Sequence, residues 1–229
     1  MPHFNIIKES HYNKTFRNES IKGQFDLQIE SIKEEFTGNI DIENINWNIG
    51  LIVGSSGSGK STIAKQIFKD EYIKEFKYGN ESIIDEMPKI KSTEEITKTF
   101  NSVGFATVWS WLKPYNVLSN GEKMRVDLAR AILSDKNLIV FDEFTSVVDR
   151  TIAKTSSSAI QKAIRKLNKK FVAVACHYDI IDWLEPDWIY DTDKKQFFFV
   201  LKNIKDQKLN LKLENVVQKN GNYLNAITI

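Results

Sequence analysis

Eight residues constrain this chain more than any others. Gly54 to Ser61 read GSSGSGKS, entered from the apolar run NIGLIVG and left through KSTIAKQIFKDEY. An apolar run that stops at glycines reads as a buried strand entering a tight turn. Ile63 and Ile67, four apart, give one face of a helix behind the turn. Every fixed position of the G-x-x-x-x-G-K-[ST] phosphate-loop pattern is met. Gly54, Gly57 and Gly59 let the backbone turn tightly and aim its amides at phosphate oxygens. Lys60 carries a flexible point charge to the β- and γ-phosphates. The Ser61 hydroxyl is placed to ligate Mg²⁺. Ser55, Ser56, Ser58 and Thr62 complete the expected nucleotide-binding set.

A magnesium carboxylate has to lie near such a loop, and NLIVFDE supplies one. Leu138 to Phe141 form a short apolar strand that delivers Asp142 and Glu143 at its end. Asp142 is expected to hold the hydrated metal, and Glu143 to orient or deprotonate an attacking water.

Other segments read as strand and helix in alternation. GQFDLQIESI, IDIENI and SIID are expected strands, and FVAVAC reads as a buried one. Residues 93–102 and SAIQKAIRKL read as helices, and WIYDTDKKQFFFVL as strand, turn, strand. That order predicts an α/β fold with a mainly parallel central sheet. With no Gly/Ser/Pro linker in 229 residues, one domain is expected over 1–229, with its core at about 22–200. A basic C-terminal extension follows from about 203 to 229. Net charge is +2, which gives no global case for nucleic acid or an anionic membrane. The single cysteine, Cys176, excludes an internal disulfide and fits a reducing cytoplasm; we read it as a small buried hydrophobe. No apolar run approaches the roughly 18 residues of a membrane helix.

One stretch is left over. LSNGEKMRVDLARAIL, 118–133, opens a helix at Ser119, Asn120 and Gly121, and a helix N-terminus of this kind attracts anions. Ser119 as an ordinary N-cap is the plain alternative. Met124, Leu128 and Ile132 recur at i, i+4, i+8 and pin the helix to its own body.

Five pieces in one order now resemble the ATP-binding-cassette (ABC) family of ATPases. They are Gly54–Ser61, LSNGE at 118–122, LIVFDE at 138–143, SVVD at 146–149, and His177 after FVAVAC. The resemblance spans about 22–200. It implies a P-loop NTPase fold with antiparallel strands on the N-terminal side and a helical subdomain at about 88–133. It also implies Mg-dependent ATP hydrolysis by a cytoplasmic, head-to-tail homodimer. In such a dimer the signature of one copy, here Ser119, Asn120, Gly121 and Glu122, caps the ATP held by the other. His177 would contact the γ-phosphate and hold the water, making it catalytic beside Glu143 and Lys60. Asp149 would be the D-loop acid that communicates across the dimer. Phe36 is the expected adenine-stacking ring, with Phe25 as the alternative.

The chain also departs from the family. Asn120 replaces a glycine-type position, and Glu122 stands where transporters mostly carry glutamine. No glutamine occurs between Gln66 and Gln161, so the coupling glutamine is missing; Asp85 or Glu86 is the candidate substitute. The interval from Lys60 to Ser119 is short, which argues against a membrane permease as partner. SWLKPYNVLSNGE, VFDEFTSVVDR and CHYDIIDWLEPDW resemble small stand-alone ABC ATPases of bacteria and phages, some associated with GNAT-type acetyltransferases. The expected partner is therefore a soluble protein, with an acetyltransferase or DNA as candidates. The alternatives are a transporter subunit that needs a membrane chain, and an ATP-gated switch with little turnover.

Overall fold

The computed structural model describes residues 3–27, 31–73 and 75–200. The extension expected at 203–229 lies outside them.

Two antiparallel strands, β1 (His3–His11) and β2 (Ser31–Asn39), form a separate ribbon at the N-terminal side. Between them lies α1 (Phe16–Gln24), which Thr15 caps by accepting the Asn18 N–H. The strand expected from GQFDLQIESI is thus only half right. Gly23 and Gln24 end α1, and Ser31 and Ile32 begin β2. Asp26 in between takes a positive φ of 48°, which marks a turn.

Among the described residues the main sheet has six strands. They are β3 (Ile49–Val53), β4 (Tyr72–Ile73), β5 (Leu138–Phe141), β6 (Lys170–Ala175), β7 (Trp188–Asp191) and β8 (Gln196–Phe199), in the order β4-β5-β6-β3-β7-β8. All neighbours are parallel except β7 and β8, the hairpin read from WIYDTDKKQFFFVL. IDIENI is not a strand: residues 40–45 run as coil and turn, with Ile40 fully buried as an anchor. Nor is SIID, which forms a turn where the amides of Asp85 and Glu86 return to the Ser82 carbonyl. Both have apolar residues that suit a strand, but among the described residues neither has a neighbouring strand to complete a ladder.

Parallel strands bury both faces, and the side chains sort by period two. Leu51, Val53, Ile139, Phe141, Phe171 and Ala173 point into one core. Ile52, Val140, Val172 and Val174 point into the other. The first core is closed by α3 (Thr93–Ser102), α5 (Asn120–Leu133), α6 (Arg150–Leu167) and α7 (Ile180–Leu184). The second holds α2 (Lys60–Phe68) and the inner side of the ribbon, through Ile63, Phe68 and Phe4. The short α4 (Val108–Trp111) packs Trp111 inward, its indole N–H donating to the Phe105 carbonyl at 2.8 Å.

Helix α5 is bound to the segment after β4 by a polar clasp. Tyr78 and Tyr115 stack with ring centroids 4.0 Å apart. Both donate to the Asp127 carboxylate, at 2.7 and 2.8 Å. Arg130 lies over the Tyr78 ring, 4.6 Å from its centroid. Burial raises the Asp127 carboxyl above its usual range despite these partners.

Candidate active site

Ligands of open parallel sheets gather at the carboxyl ends of the strands. Here β3 ends in the phosphate loop, β5 in Asp142 and Glu143, and β6 in Cys176 and His177. Because β6 lies between β5 and β3, His177 is flanked by both.

The loop turns as its glycines require. Gly57 and Gly59 have φ of 83° and 87°, where a side chain is strained. Gly59 is the N-cap of α2, and a Cβ there would come within 2.3 Å of Cε1 of Phe36. Phe36 therefore lies against the loop, while Phe25 is 63% exposed in the turn after α1. A cavity of about 470 Å³ opens between Phe36 and the loop, lined by Phe36, Thr37, Ser55, Gly57, Ser58 and Thr192 among others. None of Ser119, Asn120, Gly121 and Glu122 lines it.

Residues past β7, which the sequence reading passed over, brace the loop. Asp193 accepts the Ser55 amide and hydroxyl, each at 2.7 Å. Burial works to raise this carboxyl, but the Ser55 and Tyr178 contacts prevail and hold it below its usual range. Ser58 and Thr192 share a hydroxyl hydrogen bond of 2.5 Å. The available signal was YDTD at a strand end, a pair of acids of the same kind as FDE. Lys60 donates to the Ser55 carbonyl at 2.6 Å, folded back over its own loop.

Ser61 and Asp142 meet across 81 residues of sequence, the hydroxyl donating to Oδ1 at 3.1 Å. Asp142 is 5% exposed, and its Oδ1 also accepts the Glu143 amide at 2.9 Å. Its Oδ2 takes the Tyr72 hydroxyl. Burial, then the Asp142 hydrogen bond, push that phenol well above its usual range, so it stays a donor. The donor set is a hydroxyl and a carboxylate, all oxygen, which suits a hard cation such as Mg²⁺.

Glu143 is exposed and has φ of 53°, a left-handed backbone that costs a non-glycine residue about 1–2 kcal/mol. Such strain is tolerated where a side chain must be aimed. His177 is exposed as well. Asp149 caps α6, accepting the Thr151 and Ile152 amides at 2.8 and 3.0 Å. Cys176 is only partly buried, against the expectation of a core residue. The carboxylates of Asp85 and Glu86 are engaged within their own loop, with the Ser82 hydroxyl and with the Gly79 amide at 2.7 Å.

Ser119 is the N-cap of α5 in a reciprocal box with Glu122. Glu122 also accepts the Ser110 hydroxyl at 2.6 Å, which holds its carboxyl below the usual range and ties α4 to the box. Gly121 is buried, and a Cβ there would lie 2.8 Å from Cδ1 of Ile152 in α6.

A glycine-rich loop opening a helix, beside a strand that ends in an acid, defines a P-loop NTPase. The ABC transporter family pattern matches residues 71–146. The zinc import ATP-binding protein ZnuC of Haemophilus influenzae is 30% identical, over 68% of this chain and 67% of that protein. The lactococcin-G-processing and transport ATP-binding protein LagD of Lactococcus lactis is 24% identical over 76% of this chain, which spans 29% of LagD. The dimeric cassette MJ0796, solved in a post-hydrolysis state with ADP and Pi, shares the fold. Its TM-score is 0.56 at 15% identity, covering 82% of this chain and 92% of that one. The chain belongs to the ABC family of ATPases. No helix among the described residues is long and apolar enough to cross a membrane.

Proposed function

We propose that this chain binds Mg-ATP and hydrolyses it as a head-to-tail homodimer, using the opening and closing of the dimer to drive a partner. The observation that carries this reading is the Ser61–Asp142 contact, which joins the phosphate loop to the strand-end carboxylate. The triphosphate would lie against the loop amides and the N-terminus of α2, where the helix dipole favours negative charge. Lys60 would exchange the Ser55 carbonyl for phosphate oxygens. Phe36, beside Gly59, would stack on the base. Ser61 and Asp142 would hold Mg²⁺, which neutralises phosphate charge when bound. Glu143 would accept the proton of the attacking water, with His177 fixing that water and the γ-phosphate.

The site is half a site. Ser119, Asn120, Gly121 and Glu122 form the start of α5, where Ser119 and Asn120 are exposed, and they do not line the cavity over their own phosphate loop. A second copy would bring them to it, with Asp149 near the seam. We take residues 1–229 as one ATPase domain whose helical part at about 88–133 is reduced.

For the partner we favour a soluble protein, because the interval between Lys60 and Ser119 is short and lacks glutamine beyond Gln66. A transporter subunit is the second reading, favoured by the relatives, since ZnuC is named for zinc import. Phosphate release from Mg-ATP by the purified chain tests the activity. Pull-downs from cytosolic and membrane fractions test the partner, and stoichiometric recovery of an integral membrane protein would select the transporter reading.

A further inference from the structure

Among the described residues, Tyr72 is the one hydrogen-bond partner of the Asp142 carboxylate that neither the phosphate loop nor the local backbone supplies. It stands at the start of β4, the edge strand, its Cα paired with that of Val140 two residues before Asp142. The register is held beyond the pair by the Asp142 amide, which donates to the Ile73 carbonyl at 3.1 Å. The phenol is thus brought to Asp142 by strand pairing rather than by a flexible loop.

The two carboxylate oxygens are divided by this arrangement. Oδ1 takes Ser61 and the Glu143 amide, both from the catalytic side. Oδ2 takes Tyr72. Tyr72 also lines a second cavity of about 360 Å³, with Lys65, Ile73, Phe76 and Lys136 among others, while its hydroxyl donates to Asp142. Asp85 and Glu86, the candidate substitutes for the coupling glutamine, are engaged within their own loop.

We propose that Tyr72 is a positioning residue for the divalent cation. By fixing Oδ2 it holds the Asp142 carboxylate with Oδ1 turned to Ser61, so that the pair is set before the cation arrives. The inference rests on the Mg-ATP reading above and adds a residue to it. Hydrogen bonds to a ligating carboxylate orient it, and their removal typically weakens metal affinity 10- to 100-fold. A tyrosine that merely satisfied its own hydroxyl would affect folding stability and leave metal affinity unchanged.

Mn²⁺ in the presence of ADP is the probe, with free Mn²⁺ followed by electron paramagnetic resonance on the full chain. Wild type, Tyr72→Phe, Asp142→Asn and the double variant are compared, and ADP affinity is measured separately in EDTA. Tyr72→Phe keeps the ring in place and is expected to fold; thermal unfolding checks it. The expected result is about a tenfold loss of Mn²⁺ affinity in Tyr72→Phe, unchanged ADP affinity in EDTA, and no further loss when the change is added to Asp142→Asn. Wild-type Mn²⁺ affinity in Tyr72→Phe, or an equal loss in the Asp142→Asn background, overturns the role of Tyr72 and leaves the ATPase reading intact. Failure of the wild type to bind Mn²⁺ with ADP overturns the metal-site reading and the tyrosine's role together.

Discussion

Ser119 and Glu122 cap one another. The Ser119 hydroxyl donates to Glu122 Oε2 at 2.8 Å and accepts the Glu122 amide at 3.4 Å, while the Ser119 amide donates to the same carboxylate oxygen at 3.0 Å. The glutamate that departs from the transporter pattern thus has a structural use, and the capping role weighed for Ser119 is present. Capping within the chain and nucleotide binding across a dimer make separable demands on this serine. Ser119→Ala should cost about 1 kcal/mol of stability through the lost cap, read as a lower midpoint of thermal unfolding. Ser119→Arg should in addition block ATP-driven dimerisation while monomer ATP affinity stays at the wild-type value. Loss of monomer affinity would count against capping in trans.

On the proposed reading, Lys60→Ala should lower turnover about 100-fold or more, because the transferring phosphoryl group would lose the charge that stabilises it. Lys60 donates to the Ser55 carbonyl near the surface, so the thermal midpoint should hardly move. Phosphate release and calorimetry on one preparation check both halves.

Phe36→Ala should weaken ATP five- to tenfold, the equivalent of the roughly 1 kcal/mol expected for an aromatic stacking contact. Tripolyphosphate, which has no base, should bind equally to both proteins. Phe25→Ala should leave both ligands unaffected. Equal weakening of ATP and tripolyphosphate would mean that Phe36 only shapes the Gly59 backbone.

Asp187 joins the start of β3 to the end of α6. It accepts the Asn48 and Ile49 amides at 2.8 and 2.9 Å and binds Arg165 at 3.0 and 3.1 Å. Burial opposes its charge, but Arg165 and the two amides outweigh burial and hold the carboxyl below its usual value of 3.8. A depressed carboxylate contributes stability fully above its unfolded value and loses it as pH falls through the folded one. Asp187→Asn should therefore cost about 2–3 kcal/mol at pH 7, as for hydrogen bonds to a charged group. The gap to wild type should narrow below pH 3.8. A gap independent of pH in urea titrations would contradict the assignment.

The parts of the fold that could be read from sequence were those fixed by local patterning. Leu138–Phe141 and Phe171–Ala175 are uninterrupted apolar runs, and burial on both faces of a parallel sheet explains them. Thr93–Ser102 announces itself by the Ser92 and Glu95 capping box. IDIENI and SIID carry apolar residues that suit a strand but have no partner strand among the described residues, which no local pattern reveals. Strand β1, whose Ile7 is 64% exposed, was missed because its pairing with β2 lies across an intervening helix. At the site, the phosphate loop and FDE were legible because their spacing is fixed by chemistry. Tyr72 and Asp193 were not, since their roles come from strand pairing and from a turn that returns to Ser55.

Glu143→Gln tests the central claim most directly. The amide keeps the shape of the side chain but cannot accept the proton of the attacking water. Purified Glu143→Gln, examined by light scattering with and without Mg-ATP and assayed for phosphate release, should be a monomer without nucleotide. With Mg-ATP it should double in mass and release phosphate far more slowly than wild type. A variant that stays monomeric with Mg-ATP, or that hydrolyses at the wild-type rate, would contradict a head-to-tail ATPase dimer with Glu143 as its base.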